Sequence, residues 1–317
     1  SAMAHYSLRK AGGVLGIGNR QIVPIDTDVN GKMQIRHLIR AIKDESGPAR
    51  QTAIIAVVGV AGTTETGHVD PLDEIARVCA GENIHFHVDA AWGGPTVMSE
   101  KYGGLLTGIE RADSVTIDGH KQFYMPMGCG MVYFRDPQAM DAVAYHAAYV
   151  NRPGSVDLGI KSLEGSRSAS SLILGSALDI MGSGGYAVLI DHGIETAREF
   201  AREIRQRDLF ELTTSPQLNI LTYRLCPPAL QKKLRSPDPS VRRRTCREIN
   251  RLNIQLQRRQ REAGRSFVSR TTLPPAQGGE EGRVVLRAVI MNPMTSRKVV
   301  RDILDEQAAI YTAMAPA

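Results

Sequence analysis

The chain of 317 residues reads as an α/β protein, with part of a mostly parallel sheet in its first half and a smaller α+β domain after it. Three observations predict this. Short apolar runs of strand length alternate with helical stretches up to about residue 182. The clearest of these runs are continuous, as expected for strands covered on both faces. The regular alternation then stops at Gly182-Ser183-Gly184-Gly185, which divides the chain into 1–182 and 183–317.

In order, 53–60 (AIIAVVGV) is the first buried strand, and 71–79 follows as a helix. Asp70 is its expected N-cap, Pro71 its first position, and Leu72, Ile75, Ala76 and Cys79 its apolar face. Strands follow at 84–88 (IHFHV), 115–117 and 131–134 (MVYF). Beyond the glycines come a long helix near 186–206 and strands at 218–225, 267–273 and 284–290. The stretch 274–282 (PPAQGGEEG) reads as a hairpin connection.

Composition narrows the class. Hydrophobic residues make up 42% and charged residues 23%, which is ordinary globular usage. No window approaches the roughly 20 uninterrupted apolar residues of a membrane helix, so no membrane partner is expected. Four cysteines stand far apart without a CxxC pair, and no secretory signal is visible; both point to a reducing, cytoplasmic setting without structural zinc. The net charge of +6 is concentrated between residues 232 and 265, where twelve Lys/Arg face three Asp/Glu. Ile249, Leu252 and Leu256 recur there at helical spacing, giving an apolar seam beneath a solvated cationic face. No aromatics interleave with the arginines as a base-stacking surface requires, so nucleic acid is not expected as a partner.

Two segments carry the chemistry. In His87-Val88-Asp89-Ala90-Ala91-Trp92-Gly93-Gly94 a carboxylate ends a buried strand, at the edge where open α/β sheets bind ligands. In 113–121 (DSVTIDGHK) a second strand ends in His120-Lys121. A lysine in apolar surroundings can lose its proton and attack a carbonyl. Singly, such an Asp is more often a helix cap and such a Lys a solvated charge. Together they suit pyridoxal phosphate, which needs an amine for its Schiff base and an anion to keep its ring nitrogen protonated. His85 and His87 alternate on one strand, but no third ligand follows at useful spacing, so no metal is expected.

With Ala4-His5-Tyr6-Ser7 and Gly62-Thr63-Thr64-Glu65-Thr66-Gly67 leading to Asp70-Pro71, the sequence resembles, over nearly its whole length, the group II pyridoxal-dependent amino-acid decarboxylases of the aspartate aminotransferase (type I) fold. The resemblance implies pyridoxal 5'-phosphate as cofactor, Lys121 as Schiff-base lysine and Asp89 as partner of the pyridine nitrogen. It further implies Ala91 against one ring face, His5 stacked on the other, Thr64 beside the cofactor and His120 near its phosphate. Without it, His5 reads as an exposed or helix-capping histidine, and Asp70 as only a cap.

The segments 162–168 (SLEGSRS) and 216–224 (PQLNILTYR) look most like the bacterial aspartate and glutamate 1-decarboxylases, which implies conversion of aspartate to β-alanine or glutamate to GABA. Arg287 matches the arginine that binds the substrate α-carboxylate, the other reading being a strand-edge surface arginine; Arg167 could likewise hold the domain junction. Rival readings are aromatic amino-acid decarboxylation, another pyridoxal-dependent lyase, and a non-catalytic partner subunit or fragment. A structural role alone does not explain a strand-end lysine facing a carboxylate.

Two departures from the family stand out. Its members often bring a tyrosine on a mobile loop to donate a proton; near 151–159 this sequence has Val156 there, leaving Tyr149 or His120 as substitutes. They also carry a long segment before the position of His5, with a Ser/Gly-rich turn that cradles the phosphate. A partial sheet exposes edges and apolar faces, so a complementary N-terminal segment or chain is expected as partner, within a homodimer or hetero-oligomer.

Overall fold

The computed structural model describes residues 1–45, 53–147, 149, 152, 154–275 and 281–314. The chain opens with α1 (Ser7–Val14) and α2 (Ile35–Glu45), which precede β1 (Ala56–Val60), α3 (Leu72–Glu82), β2 (His85–Asp89), β3 (Ser114–Asp118) and β4 (Gly130–Phe134). These four strands form one sheet in the order β1-β2-β3-β4. The first two pairings are parallel and the third antiparallel.

One face of this sheet is dry. Phe86 and Val88 of β2 are buried beneath α3, whose Leu72, Ile75, Ala76 and Cys79 supply the apolar stripe expected from their spacing. Gly59 sits so close beneath that helix that a Cβ there would meet Leu72, Phe86 and Ile75 at 3.1–3.3 Å. Strand alternation sends His85, His87 and Asp89 to the opposite face.

The expected cap of α3 is corrected. Pro71, not Asp70, precedes its first turn, and no side chain caps it. The buried Asp70 carboxylate instead accepts from Met33 N–H at 2.7 Å and Val60 N–H at 2.9 Å, fastening the end of β1 to the loop before α2. A carboxylate offers two oxygens to any orphan N–H within reach, and here the strand and the loop outcompete the helix.

The Gly-rich stretch coincides with an interruption of helical geometry. It lies within α4 (Ser170–Arg205), two helical stretches joined at a kink where Gly182 leaves helical geometry (φ 63°, ψ 174°). That backbone conformation is open only to glycine, so the local pattern marks a kink. Among the described residues α4 is long and apolar enough, by length and composition alone, to cross a membrane, a property missed by counting uninterrupted apolar residues. Its C-terminal half is core: Ala197, Phe200, Ala201 and Ile204 are buried against the second sheet.

That second sheet is antiparallel, ordered β5-β6-β8-β7 from β5 (Phe210–Thr214), β6 (Ile220–Leu225), β7 (Ser269–Leu273) and β8 (Arg283–Val289). Of the residues between β7 and β8, 276–280 lie outside the described residues. Between β6 and β7 run α5 (Pro228–Leu234) and α6 (Pro239–Ala263), and α7 (Arg297–Met314) closes the chain. The basic segment is the amphipathic helix its spacing predicts: Ile249 and Leu256 are buried while Arg244, Arg247, Arg251 and Arg258 are exposed. Asn253 on its inner face pairs with both backbone groups of Leu225, at 2.8 and 2.9 Å, and so locks α6 to the end of β6.

Candidate active site

The carboxyl ends of β2 and β3 lie side by side because the two strands are parallel, with Asp89 in register with Thr116. Period-2 alternation places Ser114, Thr116 and Asp118 on the same face as His87 and Asp89. Hydrogen bonds across that face confirm the arrangement. Ser114 Oγ lies 2.8 Å from both His85 Nε2 and His87 Nδ1, and Thr116 Oγ1 lies 3.3 Å from His87 Nε2. The two histidines are thus engaged with one serine. Burial lowers the pKa of His87, opposed by the charge of Asp89.

Lys121 follows β3 by one turn, and its Nζ stands 2.8 Å from Asp118 Oδ2. The amine therefore reaches the face that carries Asp89. Ala91 joins the two: its N–H donates to Asp89 Oδ1 at 3.1 Å, and its carbonyl accepts from Asp118 N–H at 3.3 Å. Among the described residues no hydrogen bond joins Lys121 to Asp89 directly. The expected apolar surroundings of the lysine are corrected here, since its nearest charged group is a carboxylate and the side chain is 32% exposed.

His120 belongs to the same edge, with Nε2 3.7 Å from Asp118 Oδ2 and Nδ1 2.9 Å from the Cys129 carbonyl. The loop after β1 lies beside it, because Ala61 N–H donates to the Asp89 carbonyl and Gly93 N–H to the Ala61 carbonyl. In that loop Thr64 is exposed, and its carbonyl accepts from Arg287 Nε at 2.6 Å. Arg287 thus reaches from β8 to the loop after β1, with burial lowering its pKa against the opposing charge of Glu65.

The other residues named from the sequence have the following neighbours. His5 Nδ1 lies 2.8 Å from Ser7 Oγ, beside the Tyr6 ring at the start of α1, with no hydrogen bond to Asp89 or Lys121. Val156 is 97% exposed and Tyr149 is exposed, while 151 and 153 in the expected tyrosine loop lie outside the described residues. The ion pair of Arg167 is local, to Glu164 at 3.1 Å, rather than across the junction. A cavity of about 360 Å³ lies at the opposite end of β2, lined by Cys79, His85, Arg111 and Asp113 among others, away from this edge.

Sequence reasoning passed over Asp118, although it stood inside the quoted 113–121 segment three residues before the lysine. It also missed Gln122, which is polar yet buried directly after Lys121.

A primary amine, a carboxylate on the same sheet face, a small residue between them and an arginine from the second sheet form a donor set that suits a flat aldehyde with a basic ring nitrogen and an anionic substrate. The chain belongs to the pyridoxal-dependent decarboxylase family, whose conserved domain matches residues 1–226. Its cofactor is accordingly pyridoxal phosphate. The chain is 45% identical to the aspartate 1-decarboxylase of Aliivibrio fischeri over 99% of its own length and 57% of that protein. It is 29% identical to the L-2,4-diaminobutyrate decarboxylase of Rhizobium meliloti, covering 96% of this chain and 58% of the relative. In fold it is similar to the crystal structure of mouse CSAD in apo form, with TM-score 0.86 and 28% identity over 97% of this chain and 62% of the other. The chain therefore spans a little under three-fifths of the length of these two curated relatives.

Proposed function

We propose that the complete protein removes the α-carboxylate of an L-amino acid, an acidic one such as aspartate or glutamate, with pyridoxal phosphate held at Lys121. The observation that carries this is the convergence of Asp89 and Lys121 on one face at adjoining strand ends, joined through Ala91 and Asp118. The acidic preference draws on the similarity to the Aliivibrio fischeri aspartate 1-decarboxylase.

When bound, pyridoxal phosphate supplies the electron sink for the charge left behind as carbon dioxide departs. Lys121 supplies the amine that anchors it, and Asp118 holds that amine at the strand end. Asp89 holds a proton at the ring nitrogen, where a negative charge fixed in a half-buried site is worth more than in water. Ala91 leaves a flat surface for the ring, and Arg287 offers its guanidinium to the substrate carboxylate. In this reading Thr64 and His120 stand beside the cofactor and its phosphate, and the imidazole face of His5 stacks on the ring.

The test uses the full-length protein. Borohydride reduction and peptide mapping should find the pyridoxyl group on Lys121, and Lys121→Ala should abolish both the modification and carbon dioxide release. Asp89→Asn should lower kcat about 100-fold with little change in KM, the size of a lost electrostatic partner in the transition state. Product analysis with aspartate, glutamate, 2,4-diaminobutyrate and an aromatic amino acid identifies the substrate class. Modification at another lysine defeats the proposal, as does full activity in Lys121→Ala.

A further inference from the structure

Behind the site, on the buried side of both strand-end turns, three side chains close a ring of hydrogen bonds. Trp92 Nε1–H donates to Asn219 Oδ1 at 2.8 Å. Asn219 Nδ2–H donates to Gln122 Oε1 at 3.3 Å. Gln122 Nε2–H returns to the Trp92 carbonyl at 2.7 Å. Asn219 also donates to the Ile290 carbonyl at 2.9 Å and receives Ile290 N–H on its own carbonyl at 2.9 Å.

The placement gives the ring its meaning. Trp92 is three residues past Asp89, Gln122 is the residue after Lys121, and Ile290 directly follows β8, which carries Arg287. Asn219 and Gln122 are each 3% exposed. A helix packs against the same point, since a Cβ on Gly193 of α4 would meet the Ile290 carbonyl at 3.1 Å and Asn219 Nδ2 at 3.4 Å. Each buried amide uses its oxygen as acceptor and its nitrogen as donor, so the ring fixes which way both amides face. No member can turn without orphaning a neighbour, and an orphaned buried amide is costly.

We propose that Asn219 and Gln122 are positioning residues: their ring with Trp92 sets the spacing between the Asp89 turn and the Lys121 turn and couples both to the strand that bears Arg287. They touch neither cofactor nor substrate. The inference rests on the reading of Lys121 and Asp89 as the cofactor-holding pair.

The ring predicts a distinctive pattern of effects. Gln122→Met keeps bulk but removes the amide, leaving Asn219 Nδ2 short of one acceptor and the Trp92 carbonyl short of one donor. Asn219→Leu breaks the ring at its hub. In the full-length protein each single variant should weaken pyridoxal phosphate binding about tenfold, the scale of one orphaned buried amide. The double variant should bind no more weakly than the worse single, because members of a closed ring are not additive. The circular dichroism of the bound cofactor, which reads its orientation, should change in each variant.

Thermal unfolding is followed alongside, and Gln122→Met carries the test if Asn219→Leu does not fold. A lower melting temperature with unchanged cofactor affinity and dichroism would show a merely structural ring and overturn the inference. So would additive losses in the double variant. Peptide mapping of the reduced holoenzyme separates the two failures. A pyridoxyl group on Lys121 with silent variants defeats this inference alone, whereas one on another lysine defeats the functional reading beneath it.

Discussion

His68 shows how a single buried side chain makes stability depend on pH. It is 4% exposed and its Nδ1 has no hydrogen-bond partner among the described residues. Burial, reinforced by Lys32 and opposed by Asp28 and the Ser215 backbone, brings its pKa down from 6.5 to about 4. The folded chain therefore prefers the neutral ring, and the unfolded chain takes up a proton first as pH falls. This stability is fully present above pH 6.5 and drains away as pH drops toward 4, by on the order of 3 kcal/mol. His68→Gln should flatten the curve of unfolding free energy against pH across that window, as measured by urea denaturation of the full-length protein. An unaltered slope would mean that another group carries it. Asp70, two residues on, teaches a related lesson about legibility. An Asp before Pro at the start of an amphipathic run satisfies every local rule for a cap, yet its real partners, Val60 and Met33, lie 10 and 37 residues away.

Among elements, those with strong local signals were the ones legible in sequence. The strands at 53–60, 84–88, 115–117 and 131–134 lie within a few residues of β1 to β4, because each is an apolar run between polar or glycine-rich borders. Asp89 stood out because it ends such a run, and Lys121 because it follows one by a single turn. The ring behind them was not, since Trp92 and Gln122 lie 127 and 97 residues from Asn219 and no local pattern joins them. Gly93 shows the cost of that long-range fit. Its N–H donates to the Ala61 carbonyl at 2.9 Å, and a Cβ built there would stand 2.5 Å from that same oxygen. Neither backbone segment can give way without moving the Asp89 turn or the loop of Thr64. Gly93→Ala should cost about 1–3 kcal/mol by overpacking, read as a lowered unfolding midpoint. The same substitution should weaken cofactor binding, because the displaced backbone is the one that presents Asp89. A normal midpoint with normal affinity would place slack where the structure shows contact.

On the scale of the whole molecule, the two sheets are finished to different degrees. The second is enclosed: β6 is buried at every position, and α4, α6 and α7 contribute Phe200, Leu256 and Leu304 to its core. The first is covered by α3 on one side, while Val132, Tyr133 and Phe134 of its edge strand β4 are exposed. So are Leu172, Ile173 and Ile180 in the first half of α4, whose second half is core. Isolated apolar side chains on a surface need no explanation, but runs of them along an edge strand and a helix mark a surface made to be covered. The curated relatives extend well beyond the matched length. We propose as cover the part of the full-length protein outside residues 1–317, carried on the same chain or supplied as another. Apolar dye should bind residues 1–317 alone strongly, and adding the remaining segment should suppress that binding and raise the unfolding midpoint. If residues 1–317 alone bind no dye, and the added segment leaves the midpoint unchanged, those side chains are ordinary surface and the proposed cover is wrong.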